Sequence, residues 1–400
     1  MAKDTIISLD LGTTKFCIAV LENPYGPDKK IKLVETEAKG MRRGMLADFN
    51  EASKALNNLI DKAEKDLDLD IRKIVVGVAG SHLRGHMTEK SISINGDCIK
   101  QTHIEKLSKI VEQSQINEYR ELLHNIPFYF QIDNREPIQN PIGFTGSKLT
   151  GRFYCIDADK GYLKDIIRLC NAAGLEVIQI FSEPFASASV TVDDKLKEYG
   201  VAIADIGGGT TDGIVFQGGK PTSVFTINIA GNMMTSDLCV ALNLSHKTAE
   251  SFKHAHKLQS GDPRDYKTTE NVHQQTIQVS NHQMDAILGA RITELAAYIA
   301  ESVKGFKGCL AGGIVLTGGG SSVGNIDKFL EKRFKIAVKC INPLINIQDN
   351  KQLHFKPKHA TAIGLINLEL CRRQSHNNLQ PKLWAKRYIN QFVNWIKELS

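Results

Sequence analysis

Residues 5–20 read TIISLDLGTTKFCIAV, and residues 201–216 read VAIADIGGGTTDGIVF. Each stretch is an apolar, β-branched run, then an Asp, a Gly-rich turn with paired Thr, and a second apolar run. That order predicts a β-hairpin with a Gly-Thr turn at its tip. The two copies stand a domain's length apart, not at the short period of a solenoid. The pattern therefore points to two related domains, each opening with this hairpin.

The residue types at the tips suggest what they hold. Gly12, Gly207, Gly208 and Gly209 let backbone N–H groups turn toward one point with no Cβ in the way. Successive N–H groups in such a turn form a nest for an anion. The hydroxyls of Thr13, Thr14, Thr210 and Thr211 add donors. Asp10 and Asp205 each end a strand and face the same point. Carboxylates beside phosphates need a hard cation between them, which points to Mg²⁺ held largely through water. Lys15 offers a further charge to a phosphate oxygen. A third turn lies in residues 312–325, GGIVLTGGGSSVGN. A strand from Gly313 to Thr317 runs into Gly318, Gly319, Gly320 and Ser321, and a helix is expected from Asn325. Glycines between strand and helix permit close approach of a flat ligand or its phosphate. No P-loop occurs, and no Gly-x-Gly-x-x-Gly follows a strand.

Composition narrows the class. A chain of 400 residues suggests two or three domains. At 42% hydrophobic and 24% charged it is not a mainly disordered chain. A net charge of +6 is too weak and too spread out to argue a nucleic-acid partner, and none is expected. No apolar run is long enough to span a membrane as a helix. No basic stretch followed by an apolar one opens the chain, so no secretory signal is expected. The 8 cysteines never form Cys-x-x-Cys and read as reduced thiols of a cytosolic protein. His254 and His256 read as surface residues of a helix.

The two Asp-Gly-Thr hairpins and the late Thr-Gly-Gly-Gly turn resemble the two phosphate motifs and the adenosine motif of the actin/Hsp70/sugar-kinase superfamily. The resemblance implies an α/β fold: an actin-like pair of ribonuclease-H-like domains around a nucleotide cleft holding Mg-ATP. Further segments resemble the bacterial cell-division actin homologue FtsA over nearly the whole chain. EPFASASV (183–190) resembles the first connecting segment, with Glu183 near where an attacking water would sit. AGNMMTSDLCVAL (230–242) and TAESFKHAHK (248–257) resemble segments over the ribose and base. Gly231, Asn232, Glu250 and Lys253 then become nucleotide contacts. ATAIGLINL (360–368) resembles the second connecting segment.

This resemblance sets the expected domains. Residues 1–83 and 163–195 form the first ribonuclease-H-like subdomain, and 84–162 a small inserted α+β subdomain. In the insert a helical stretch is read at 104–124 and strand-like alternation at 124–133 and 140–159. Residues 196–245 and 305–370 form the second ribonuclease-H-like subdomain, and 246–304 a fourth subdomain with a partner-peptide groove. Within the fourth, the polar stretch 258–283 resembles nothing. In the resembled family the groove receives the C-terminal peptide of the tubulin homologue FtsZ, and Arg291 and Glu294 match groove residues. Three apart, they also suit a same-face helix pair.

Residues 371–381 read as a flexible linker, and 382–400 as an amphipathic membrane-targeting helix. On a helical wheel Trp384, Ala385, Tyr388, Ile389, Phe392, Trp395, Ile396 and Leu399 fall on one face. Lys386 and Arg387 are among the polar residues opposite. Both tryptophans of the chain sit on the apolar face, as suits the headgroup boundary. A basic helix of this kind reads as an in-plane anchor on anionic lipid.

The expected function is that of an ATP-binding adaptor. It polymerises on the cytoplasmic face of the inner membrane at the division site, tethers FtsZ there and recruits later division proteins. Any enzymatic activity is a slow Mg-dependent ATPase, with Asp10, Asp205 and Glu183 as its acids. Two alternatives stay open. A pilus-assembly actin homologue shares the insert but needs no anchor of its own. A small-molecule kinase would use residues such as Asp157 or Asp159.

Overall fold

The computed structural model describes residues 5–26, 28–115, 117–348 and 351–376. The expected anchor at 382–400 and the end of the expected linker lie outside them.

The chain begins with an antiparallel meander of β1 (Thr5–Leu11), β2 (Lys15–Glu22) and β3 (Lys30–Glu37). A ribbon of β4 (Met41–Arg42) and β5 (Met45–Leu46) follows, then α1 (Phe49–Leu67) and β6 (Lys73–Val78). An excursion through β7 (Arg84–Ser93), α2 (Gln101–Gln115), β8 (Arg120–Ile132) and β9 (Lys148–Asp159) leads to α3 (Lys160–Ala172) and β10 (Glu176–Ser182). Two helices, α4 (Glu183–Thr191) and α5 (Asp194–Tyr199), lead to a second meander of β11 (Val201–Ile206), β12 (Thr211–Gln217) and β13 (Lys220–Ile227). Then come α6 (Gly231–Leu242), α7 (His246–Ala255), β14 (Tyr266–Glu270), β15 (Thr276–Ser280) and α8 (Asn281–Ser302). The chain closes with β16 (Ile314–Thr317), α9 (Ile326–Phe334), β17 (Val338–Cys340), β18 (Leu344–Gln348), β19 (Lys351–His354) and α10 (Ala360–His376).

The first large sheet has the order β10-β6-β1-β2-β3 and the second β13-β12-β11-β16-β17. Read from the outer strand of each meander, the two orders are the same. In each, two parallel strands extend the sheet beyond the first strand of the hairpin. The duplication seen in the sequence is thus a duplication of ribonuclease-H-like topology. Central strands buried on both faces need near-continuous apolar runs, which β1 and β11 supply.

Between β6 and α3, a sheet of order β7-β9-β8 carries α2. Ile104, Leu107 and Val111 of the helix pack on Phe130, Leu149 and Phe153 in a core of its own. The helix is shorter than the expected 104–124. Asn117 stops the chain: its side-chain oxygen accepts the N–H groups of Tyr119 and Arg120, a turn that competes with helix. The strand expected from 140 begins at Lys148, after a loop with Pro141 and a positive-φ Gly143.

The uncharacterised stretch 258–283 contains the exposed hairpin β14–β15. Ser280 and Gln283 then start α8 with a reciprocal capping box. His256 is not a surface residue: it is buried and shares a 2.8 Å hydrogen bond with Asp285 of α8. The linker expected from 371 is also displaced, because α10 continues to His376. Arg372 and Arg373 both reach back to the buried Glu369, at spacings that favour helix.

The halves are joined where α4 and α10 cross. Phe185 and Ala188 of α4 and Leu365 and Leu368 of α10 pack with Val75 of the first sheet and Ile203 and Val315 of the second. The helices touch at Gly364, where a Cβ would stand 2.0 Å from the carbonyl oxygen of Ala186. Gly364→Ala should therefore overpack this crossing, cost about 1–3 kcal/mol and lower the thermal midpoint. Gly305→Ala, where a Cβ meets nothing within 4 Å, is the control and should leave it nearly unchanged. Equal midpoints for the two variants would show that the crossing is not tight.

Candidate functional site

The tips of the two hairpins meet face to face. A Cβ on Gly208 would lie 1.8 Å from Thr14 Oγ1, and one on Gly209 would lie 2.4 Å from Thr13 Oγ1. Only glycine allows that approach. Thr14 donates a 3.2 Å hydrogen bond to Asn232 Oδ1, and Thr13 Oγ1 accepts one from the Gly44 N–H. The tips enclose a cavity of about 300 Å³. Asp10, Gly12, Thr13, Thr14 and Lys15 line it from the first half. Asp205, Gly207, Gly208, Gly209 and Thr210 line it from the second, and Glu183 joins them from the start of α4.

The floor of the cavity is acidic. Burial, and then the charges of Asp212 and Asp10, push the Asp205 carboxyl up to about 7. Burial, and then Asp10 and Asp212, raise Glu183 well above the carboxylate range. Asp212 is also raised by burial, although Thr210 and Thr226 donate to it at 2.6 Å and the Gly80 N–H at 3.2 Å. One ammonium answers these groups at close range: Lys15 Nζ lies 3.0 Å from Asp10 Oδ2. Burial works against the Lys15 charge, but Asp10, Cys17 and Glu35 together outweigh it and hold the ammonium above its ordinary value.

A second charged cluster forms the upper wall. Lys253 is buried and donates to Glu250 Oε2 at 2.7 Å, Thr235 Oγ1 at 2.9 Å and the Gly231 carbonyl at 3.2 Å. Burial favours neutral Glu250, but donors on His254, Lys253 and Thr235 hold it far below the carboxylate range. The third turn closes the opposite wall with Gly318, Gly319 and Gly320. Gly318 has φ +83°, and a Cβ there would lie 2.2 Å from Asp205 Oδ1.

Two expected residues point elsewhere. Thr211 is fully buried and donates to the Ile229 carbonyl at 2.7 Å, because its position in β12 turns it away from the tip. Ser321 donates to the Gly318 carbonyl at 2.8 Å, and Ser322 lines the cavity instead. Asp212, Glu35 and Lys358 line the cavity without having been anticipated. Asp212 was legible: it stands just after the Thr pair, where the first copy has Lys15. Glu35 and Lys358 pair with each other from β3 and the segment before α10, a contact no local pattern announces.

Arg291 and Glu294 pair on α8 as their spacing suggested. Arg291 also grips Asp237 of α6 with two hydrogen bonds, of 2.6 and 2.8 Å. Val240 stands one turn beyond Asp237 on α6 and Tyr298 one turn beyond Glu294 on α8, 81% and 54% exposed. Asp157, a candidate for the kinase reading, is instead bound by Arg120 and His86 within the insert. Among the described residues no group of three or more His, Cys, Asp or Glu side chains could hold a metal ion. No described helix is long and apolar enough to cross a membrane.

Comparison with known proteins follows from this architecture. The family model described as "Cell division protein FtsA" matches residues 202–364. The model "SHS2 domain inserted in FTSA" matches 80–156, the β7–β9 excursion. The chain belongs to the FtsA family. It is 26% identical to cell division protein FtsA of Escherichia coli (strain K12), with 99% of this chain and 96% of that one covered. It is 28% identical to FtsA of Borreliella burgdorferi, covering 95% and 94%. Its fold is similar to a solved PilM-PilN type IV pilus biogenesis complex, with TM-score 0.62 at 15% identity over 91% of this chain and 98% of that one. It is also similar to MreB5 of Spiroplasma citri bound to ADP, with TM-score 0.54 at 15% identity over 94% and 98%. These likenesses show an actin-like fold.

The raised Asp205 makes a pH-dependent contribution to the stability of this FtsA-family chain. An acid whose folded pKa exceeds its unfolded value adds stability below the unfolded pKa, which fades as pH rises through the folded one. In the ligand-free protein Asp205 should thus favour the fold less at pH 7.5 than at pH 5.5. Asp205→Asn should flatten the change in thermal midpoint over that range. An unaltered slope would show that Asp205 ionises normally.

Proposed function

We propose that the cleft binds ATP with Mg²⁺ and that the protein is an actin-like division adaptor working at a membrane. The observation that carries this reading is the meeting of two glycine-threonine tips over a floor of mutually raised carboxyls. The N–H groups of the tips suit phosphate oxygens. A surplus of buried carboxyls suits a hard cation, and Asp10 and Asp205 would hold it through water. When bound, Mg²⁺ would neutralise charge on the phosphates and these acids. Lys15, now on Asp10, is placed to turn to a phosphate oxygen. Glu183 would orient a water at the terminal phosphate, and a slow hydrolysis fits its raised carboxyl. Glu250 and Lys253 hold the wall above the tips, where ribose and base would lie, with the Gly318–Gly320 turn opposite. The kinase reading loses its acids, since Asp157 is bound up and Asp159 caps α3.

The remaining roles rest on the family and on surface chemistry. The Arg291–Asp237–Glu294 cluster with Val240 and Tyr298 beside it offers a mixed polar and apolar groove for the FtsZ C-terminal peptide. Self-association is supported by the fold, which a solved MamK double helical filament shares at TM-score 0.51. Residues 382–400 would anchor such filaments to anionic lipid at the cytoplasmic face of the inner membrane, where many weak anchors act together. Later division proteins would join the assembled complex.

Two measurements test this. Gly208→Val forces a side chain into Thr14 and should weaken Mg-ATP binding at least tenfold by titration calorimetry; wild-type affinity in that variant would remove the tips from the site. The full chain should pellet with anionic vesicles while a 1–381 truncation stays in solution. Co-sedimentation of both forms, or of neither, would overturn the anchor.

A further inference from the structure

His124 sits in β8 of the insert, yet it is fully enclosed against the start of α4. Its ring lies 4.8 Å from that of Phe185 and 5.9 Å from that of Phe181, centroid to centroid. Its Nε2 accepts the backbone N–H of Ser182 at 3.0 Å. Ser182 is the residue immediately before Glu183 and the N-cap of α4, and its own side chain makes no capping bond. The bond fixes the tautomer. Because Nε2 accepts, Nδ1 carries the hydrogen, and that buried Nδ1 has no partner. A leucine or phenylalanine would fill this space with no stranded donor. What it could not do is accept the Ser182 N–H. Burial drives the imidazole pKa down to about 3, so the acceptor stays neutral and available at ordinary pH.

We propose that His124 is a positioning residue: it fixes the first turn of α4, and through it Glu183, so that the geometry of the cleft depends on how the insert is docked. The inference rests on reading the cleft as a Mg-ATP site. A backbone bond one residue from Glu183 sets where that carboxyl stands among Asp10, Asp205 and Asp212. The room for Glu183 is narrow, since a Cβ on Gly77 of β6 would come within 2.8 Å of its Cγ. A second contact lies at the root of the insert: the Gly80 N–H that Asp212 accepts stands between β6 and β7, where the chain leaves the first half for the insert. A partner that tilts the insert would pull on both.

The test compares His124→Gln, whose amide oxygen can still accept the Ser182 N–H, with His124→Leu, which cannot. Both are first checked for native fold by circular dichroism and thermal unfolding. ATP binding to the full chain is then titrated with Mg²⁺ and in excess chelator. A purely structural loss would weaken both affinities alike. The positioning role predicts that His124→Leu loses about tenfold in Mg-ATP affinity while metal-free ATP binding is unchanged, and that His124→Gln restores most of it. Equal losses with and without metal, unchanged affinities in His124→Leu, or a His124→Gln variant that behaves like Leu each overturn it. If neither substitution yields a folded protein, Phe185→Leu, which loosens the ring stack and keeps the acceptor, should shift the metal-dependent affinity in the same direction; no shift overturns the inference. Absence of any ATP binding by the wild type would instead overturn the underlying reading of the cleft.

Discussion

Four carboxyl groups, Asp10, Glu183, Asp205 and Asp212, converge on the floor of one cleft, and Lys15 is the ammonium that faces them. Burial disfavours ionisation of Asp205, Glu183 and Asp212, and neighbouring like charges add to it for Asp205 and Glu183, so all three carboxyls are raised above their ordinary range. The rest of the molecule is arranged around that constraint. Two sheets of the same topology each bring one acid to the end of a central strand. The α4 crossing brings the third, and a displaced acid after the second Thr pair brings the fourth.

The crossing of α4 and α10 serves the same end. Each helix connects one half to the other, and each begins at the cleft: Glu183 opens α4, and Thr361 in the first turn of α10 donates to Asp205 at 3.3 Å. Gly364 lets the helices touch backbone to backbone. Movement of one half against the other must therefore pass through residues that hold the acids. The insert is tied to the same place by His124, while keeping a core of its own.

Much of the site could be read from local pattern. A hairpin tip is a sequence-local object, so Gly12, Thr13, Thr14 and the Gly207–Thr210 run carry their geometry with them. Thr211 and Ser321 were misplaced because facing depends on one residue of register, which neighbours decide. Polar composition after Leu370 suggested a linker; pairing of Arg372 and Arg373 with the buried Glu369 makes helix there instead. His256 looked exposed until Asp285, distant in the chain, gave it a buried partner.

The sequence by itself determined the duplicated hairpins, the three glycine turns, the insert and the family, because each rests on residues close together in the chain or repeated within it. Tertiary structure alone added Asp212 to the acids of the floor and decided which of them are raised. It paired Glu35 with Lys358, joined Asp237 to Arg291, and buried His124 against α4. Those are contacts between distant segments, whose energies come from desolvation and from charges brought together by packing. No local pattern encodes them, since each partner alone is an ordinary polar residue on an ordinary strand or helix.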